Sequence, residues 1–163
     1  MKIAAGKDLV GQANRRTWGA LPSDAIVRLR SMITRPTEEW GREMQDQKGR
    51  IAAGTLAEQH AFALNLWPEA FIAAVDTALD AYEADVRSFS SPSDDEVFAS
   101  VERVVVALNA IDEEHGRRIE TGEREELCEY IDDVLTDAGI DVDGLTSRRD
   151  IDRAELTDEW RDW

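Results

Sequence analysis

The chain has 163 residues, 42% hydrophobic and 33% charged, a composition that fits a soluble globular protein with one core and room for an appended segment. No apolar run approaches the ~20 residues a membrane-spanning helix needs, and a single cysteine excludes an internal disulfide and fits a reducing, cytoplasmic setting. The net charge of −16 is uneven: residues 1–60 carry ten Lys or Arg against seven Asp or Glu, whereas residues 61–163 carry nine Arg against 28 acids, a balance that disfavours direct contact with nucleic acid and suits a basic protein partner.

In chain order, the opening MKIAAGKDLVGQANRR lacks the continuous apolar core of a signal peptide. SDAIVRLRSMI reads as a short helix capped by Ser23. PTEEWGREMQDQKGRIAAG reads as another, carrying Trp40, Met44 and Ile51 and weakened at Gly41 and Gly49. TLAEQHAFALNLW is expected to continue as a helix, with Thr55 and Glu58 as a capping box and Leu56, His60, Ala63, Leu64 and Trp67 on one side.

From Pro68 onward the helical period is stronger. Phe71, Val75, Ala78, Leu79, Tyr82 and Val86 form one stripe, which predicts a helix over 68–88 with Pro68 in its first turn. Val97, Val101, Val104, Val105, Leu108 and Ile111 predict a second over 94–115, opened by a Ser93/Glu96 capping box and closed at Gly116. Leu127, Ile131, Val134, Leu135 and Ala138 predict a third over 122–138, closed at Gly139. The fold class is therefore all-α: a compact acidic multi-helix bundle over 61–163, preceded by a net-basic helical extension over 1–60.

Candidate chemistry is sparse. Cys128 lies on the edge of an apolar stripe among Glu125, Glu126 and Glu129, whose charge opposes a thiolate, so it reads as a packed structural thiol. His60 reads as a core histidine, and His115 as the residue ending the second acidic helix. Asp112 and His115, at i and i+3, make half of a carboxylate-bridged di-metal pattern with no second copy, and no metal or cofactor is expected. GIDVDGLTSRRD places Asp141, Asp143, Gly144 and Asp150 at positions 3, 5, 6 and 12 of a calcium-loop register, but Gly139 stands at position 1, so it reads as a turn with solvated aspartates.

One feature exceeds background. Glu125, Glu126, Glu129, Asp132, Asp133 and Asp137 cover the side of the 122–138 helix away from Leu127 and Ile131. Like charges at i, i+4 destabilise a helix by a few tenths of a kcal/mol per pair. The stripe serves either solubility or the docking of a cationic partner, whose arginines make bidentate bonds to carboxylates.

Several motifs resemble a family of small acidic bacterial proteins of uncharacterised activity. They are WPEAF from Trp67, the ALNAIDEE helix, Ile119-Glu120-Thr121 with Arg124, the turn Ile140-Asp141-Val142-Asp143, and the closing Arg161-Asp162-Trp163. The resemblance covers roughly 64–163, and about ten extra residues, SRRDIDRAEL, separate the turn from the closing motif here. Co-occurrence of the IETxxR and RDW segments implies contact. Glu120 and Arg124 would pair at i, i+4, Arg161 and Asp162 would close a four-charge cluster with Trp163 over it, and the tail would dock on the 122–138 helix.

By analogy of size, acidity and helical make-up with immunity proteins, the expected function is a non-enzymatic inhibitor that neutralises a basic toxin or effector through its acidic face. The alternatives are a nucleic-acid-mimicking inhibitor of a DNA-binding protein, and an enzyme with an unrecognised carboxylate or metal site.

Overall fold

The computed structural model describes residues 33–163, so the helix expected after Ser23 lies outside the described residues. Those residues fold as six α-helices and two single 3₁₀ turns, without a strand among them. Helix α1 spans Pro36–Ala52, with Pro36 in its first turn, Glu38 and Glu39 at the positive end of its dipole and Arg50 at the negative end. It buries Trp40, Met44 and Gln47 at i, i+4 and i+7. Gly54 then turns the chain at φ +73°.

The continuous helix expected over 55–67 does not form. The Thr55 hydroxyl donates to the Arg50 carbonyl at 3.1 Å instead of capping, and the chain makes a 3₁₀ turn at Glu58–His60 before a five-residue helix α2, Phe62–Leu66. The break has a packing cause. The Ala63 amide donates to Oε1 of buried Gln47 at 3.0 Å, and Ala61 and Ala63 are the residues fully buried there, so small side chains let this segment lie close to α1. His60 is exposed rather than in the core.

Helices α3 (Glu69–Arg87), α4 (Asp94–Glu114) and α5 (Thr121–Asp137) match the expected spans within a residue at each end. Pro68 caps α3 from just outside it. The Ser93/Glu96 capping box forms, and Gly116 and Gly139 take the left-handed conformation at +86° and +82°. The α3 stripe is buried in full, and Val97 to Leu108 of α4 face it. Leu127, Ile131 and Leu135 of α5 complete the core, while Ala138 lies exposed at its end. The buried Tyr82 hydroxyl donates to the Ile131 carbonyl at 2.8 Å, tying α3 to α5 without an unsatisfied group.

Packing does not divide where the charge does. Trp40, before residue 60, is 1% exposed in the same core as Phe71 and Leu127, stacked on Trp67 at 5.8 Å and Phe71 at 6.0 Å.

Between α4 and α5, Asp112 is 1% exposed and its Oδ1 accepts from the amides of Arg118 at 2.6 Å and Ile119 at 2.8 Å. That buried carboxylate secures a turn in which Arg117 also adopts positive φ, at +60°. Asp112 is thus a cap, and His115 sets its ring edge-on to Phe71 at 5.7 Å.

The GIDVDGLTSRRD segment is a helix rather than a turn: α6, Val142–Arg148. Asp141 caps it by accepting from the Gly144 amide at 3.0 Å. A Cβ on Gly144 would lie 2.2 Å from the Asp141 carboxylate, so the glycine is what admits the cap.

Candidate functional site

The tail bounds one side of α5. It passes through a 3₁₀ turn at Arg153–Glu155, buries Leu156 and Thr157, and docks on two helices rather than on α5 alone. The Asn109 side chain on α4 donates to the Trp160 carbonyl at 2.8 Å and accepts from the Asp162 amide at 3.2 Å, so one amide group clasps the tail backbone. Trp160 packs beside Phe98 at 6.3 Å. On the α5 side, Nη1 of Arg161 donates to Sγ of Cys128 and to Oγ1 of Thr157, each at 3.1 Å.

The expected four-charge cluster is absent among the described residues. Arg161 pairs with Asp158 at 2.8 Å and Asp162 with Arg117 at 3.4 Å. The Glu120 amide donates to Glu123 at the start of α5, and Arg124 joins no ion pair with either. Trp163 does lie over Arg161, at 5.6 Å. Cys128 is half-buried, and its sulfur meets Arg161 and Thr157.

The six carboxylates of the expected stripe split into two groups. Glu126 accepts from the Trp40 indole N–H at 2.7 Å. Asp132 is gripped by Arg153, whose Nε donates at 2.6 Å and whose Nη2 also reaches it and Thr136. Both are engaged by residues from other parts of the fold. Glu125, Glu129, Asp133 and Asp137 are exposed and have no hydrogen-bond or ion-pair partner among the described residues. Each follows the last by four residues, so the four form one ridge along α5, rising roughly 6 Å per carboxylate.

The ridge runs between two clefts. A cleft of about 570 Å³ separates it from the tail and is lined by Glu125, Cys128, Glu129, Arg153 and Arg161. On the other side a narrower cleft of about 240 Å³ is lined by Pro36, Glu39, Glu126, Glu129, Tyr130 and Asp133. Glu39 of α1 therefore joins the acidic surface from another helix, a residue that reading α5 alone does not find.

Crowding has an electrostatic signature. Partial burial, with Glu129 and Asp132 nearby, raises the Asp133 carboxyl above the usual aspartate range against the lowering influence of Arg153. A cation entering there would relieve that repulsion.

In the wall of the narrow cleft, Arg35 reaches Glu83 at 2.9 Å and Asp80 at 2.6 Å, and the Tyr130 hydroxyl donates to Glu83. Burial pushes Glu83 up, but hydrogen bonds from Tyr130, Arg35 and Arg87 outweigh it and hold the carboxyl below its usual range. These groups satisfy one another and brace α5 against α3.

Among the described residues no group of three or more His, Cys, Asp or Glu is arranged to hold a metal ion, and no helix is long and apolar enough to cross a membrane. Comparison of the chain with protein-family models, curated proteins and solved structures finds no match.

Proposed function

We propose that this is a non-enzymatic binding protein that captures a basic protein on the α5 ridge, in the manner of an immunity protein neutralising a toxin or effector. The observation that carries this reading is the row Glu125, Glu129, Asp133 and Asp137, exposed and without a partner among the described residues. Three like-charge i, i+4 pairs in one row each destabilise α5 by a few tenths of a kcal/mol. A surface that keeps such repulsion gains when a cation arrives. The narrow cleft holds Glu39, Glu129 and Asp133 from two helices beside Arg35, whose own charge is taken up by Asp80 and Glu83, and so offers carboxylates to one further arginine or lysine side chain.

Arg153 supports the same reading. It neutralises Asp132 at the edge of the ridge, so the row of unpaired carboxylates ends there on the side of the tail.

The test is capture of a basic protein from the native host on immobilised chain, followed by elution in a salt gradient. Release with a steep salt dependence is expected, because screening acts on exposed charges. Capture unaffected by salt would contradict the reading. Loss of the captured protein to competing duplex DNA would instead indicate imitation of nucleic acid.

A further inference from the structure

The cleft between the ridge and the tail carries both signs of charge. Glu125 and Glu129 stand on its α5 side, and Arg124, Arg153 and Arg161 line the same space of about 570 Å³. Arg153 and Arg161 belong to the tail. A cation approaching the ridge from this side is therefore repelled by guanidinium groups as well as attracted by carboxylates.

Arg161 is placed there by its neighbours in the tail. Trp163 lies over its guanidinium at 5.6 Å, and Asp158 pairs with it at 2.8 Å. It donates to Sγ of Cys128 and to Oγ1 of Thr157, and that hydroxyl is itself 3.3 Å from the sulfur. Two tail residues thus cover the thiol.

The hold on residues 158–163 is incomplete. The indole N–H of Trp163 is buried without a hydrogen-bond partner among the described residues, a state that opposes docking. The Arg117–Asp162 pair is open to solvent and so contributes little. The side chain of Asn109 is left as the main polar clasp on α4. A segment held in this way belongs to the part of a fold that opens first.

We infer that residues 158–163 are a strap that attenuates the ridge. Docked, the strap keeps Arg161 in the cleft beside Glu125 and Glu129. Released, it withdraws that charge and opens the ridge to a cationic partner from the tail side as well as from the α1 side. The inference rests on the ridge being the binding surface and adds its regulation. Coupling is reciprocal, so a cation bound on the ridge favours the released strap by the same factor by which release tightens binding.

Cys128, the single cysteine of the chain, reports release without any substitution. The probe is a synthetic nona-arginine peptide, and the readout is the rate at which a maleimide labels Cys128 in the full chain. Saturating peptide is expected to quicken labelling roughly 5-fold or more, the lower end of ordinary couplings between sites. A chain lacking residues 158–163 should bind the peptide more tightly by that same factor, and peptide should not quicken its labelling further. Equal quickening in both chains would reveal a direct effect of the peptide's charge on the thiol and would overturn the inference.

A second variant keeps the tail. Arg161→Gln in the full chain is expected to tighten peptide binding more than Arg103→Gln, an equal change of charge outside the cleft, and equal effects would overturn the inference too. Peptide binding that leaves the labelling of the parent chain unchanged would sink the strap alone. No peptide binding by the parent chain would sink the ridge reading and the strap with it.

Discussion

The indole N–H of Trp40 donates to the carboxylate of Glu126 at 2.7 Å. One residue belongs to the less acidic part of the chain and the other to the acidic helix. The bond places a carboxylate of α5 at the edge of the aromatic stack formed by Trp40, Trp67 and Phe71. One turn earlier, the Trp67 indole donates to Glu123 at 3.1 Å. Two stacked indoles thus hold two acids on successive turns of α5, which fixes the rotation of that helix and turns Glu125, Glu129, Asp133 and Asp137 outward.

Replacing Trp40 with alanine is expected to remove about 3–5 kcal/mol of stability, the usual loss for a buried aromatic. Glu126→Gln keeps an acceptor for the indole and should be nearly neutral. Glu126→Ala leaves a buried N–H unpaired and should lose about 1–3 kcal/mol. Urea denaturation measures all three, and equal stability of the alanine and glutamine variants at 126 would contradict the role given to the bond.

Deleting residues 160–163 removes two partly buried indoles and the clasp on Asn109. A loss of about 2 kcal/mol is expected from the apolar area alone, or roughly 4–8 °C in melting temperature for a chain of this size. Asn109→Ala should give part of that loss, since it breaks both clasping bonds. An unchanged thermal melt for the deletion would show that the tail does not stabilise the fold.

The pH dependence has two opposed parts. Glu83 titrates below its usual range in the folded protein, so its stabilising contribution is present above the ordinary glutamate pKa and is lost as pH falls toward the folded value. Asp133 titrates above its usual range. The folded state therefore binds that proton more readily than the unfolded chain, and stability declines as pH rises from the ordinary aspartate pKa through the folded one. Asp133→Asn is expected to be more stable than the parent at neutral pH, with the difference vanishing below the aspartate range. Denaturation midpoints across that range report the sign, and a destabilised variant at neutral pH would contradict it.

Arg153→Gln releases Asp132 from its pairing. An ion pair this open to solvent contributes at most about 1 kcal/mol, so the fold should survive. The ridge gains an adjacent free carboxylate, and binding of a basic partner should tighten and depend more steeply on salt. Titration calorimetry at two salt concentrations checks this, and weaker binding would mean that Arg153 itself faces the partner.

The three helices after Pro68 were legible because their apolar stripes are uninterrupted and their ends carry strong chemistry: Pro68, the Ser93/Glu96 box, and glycines at 116 and 139. The 55–67 segment was not, because a helical pattern also fits a chain bent by a long-range bond from Ala63 to Gln47. The seven-residue α6 hid behind its Asp and Gly content, which reads as a loop until Asp141 is seen as a cap that only Gly144 admits. For the candidate site, all six acids of the α5 stripe, Glu125 to Asp137, were visible in the sequence. Their division was not, since Trp40 and Arg153 lie 86 and 21 positions from the carboxylates they bind.

The most direct measurement compares two variants with the same change in net charge. One neutralises the ridge through Glu125→Gln, Glu129→Gln, Asp133→Asn and Asp137→Asn. The other neutralises exposed acids elsewhere through Glu102→Gln, Glu113→Gln, Glu114→Gln and Glu159→Gln. Capture of the basic partner is expected to be lost in the first and kept in the second. Equal capture by both would contradict the claim that this row on α5 is the binding surface.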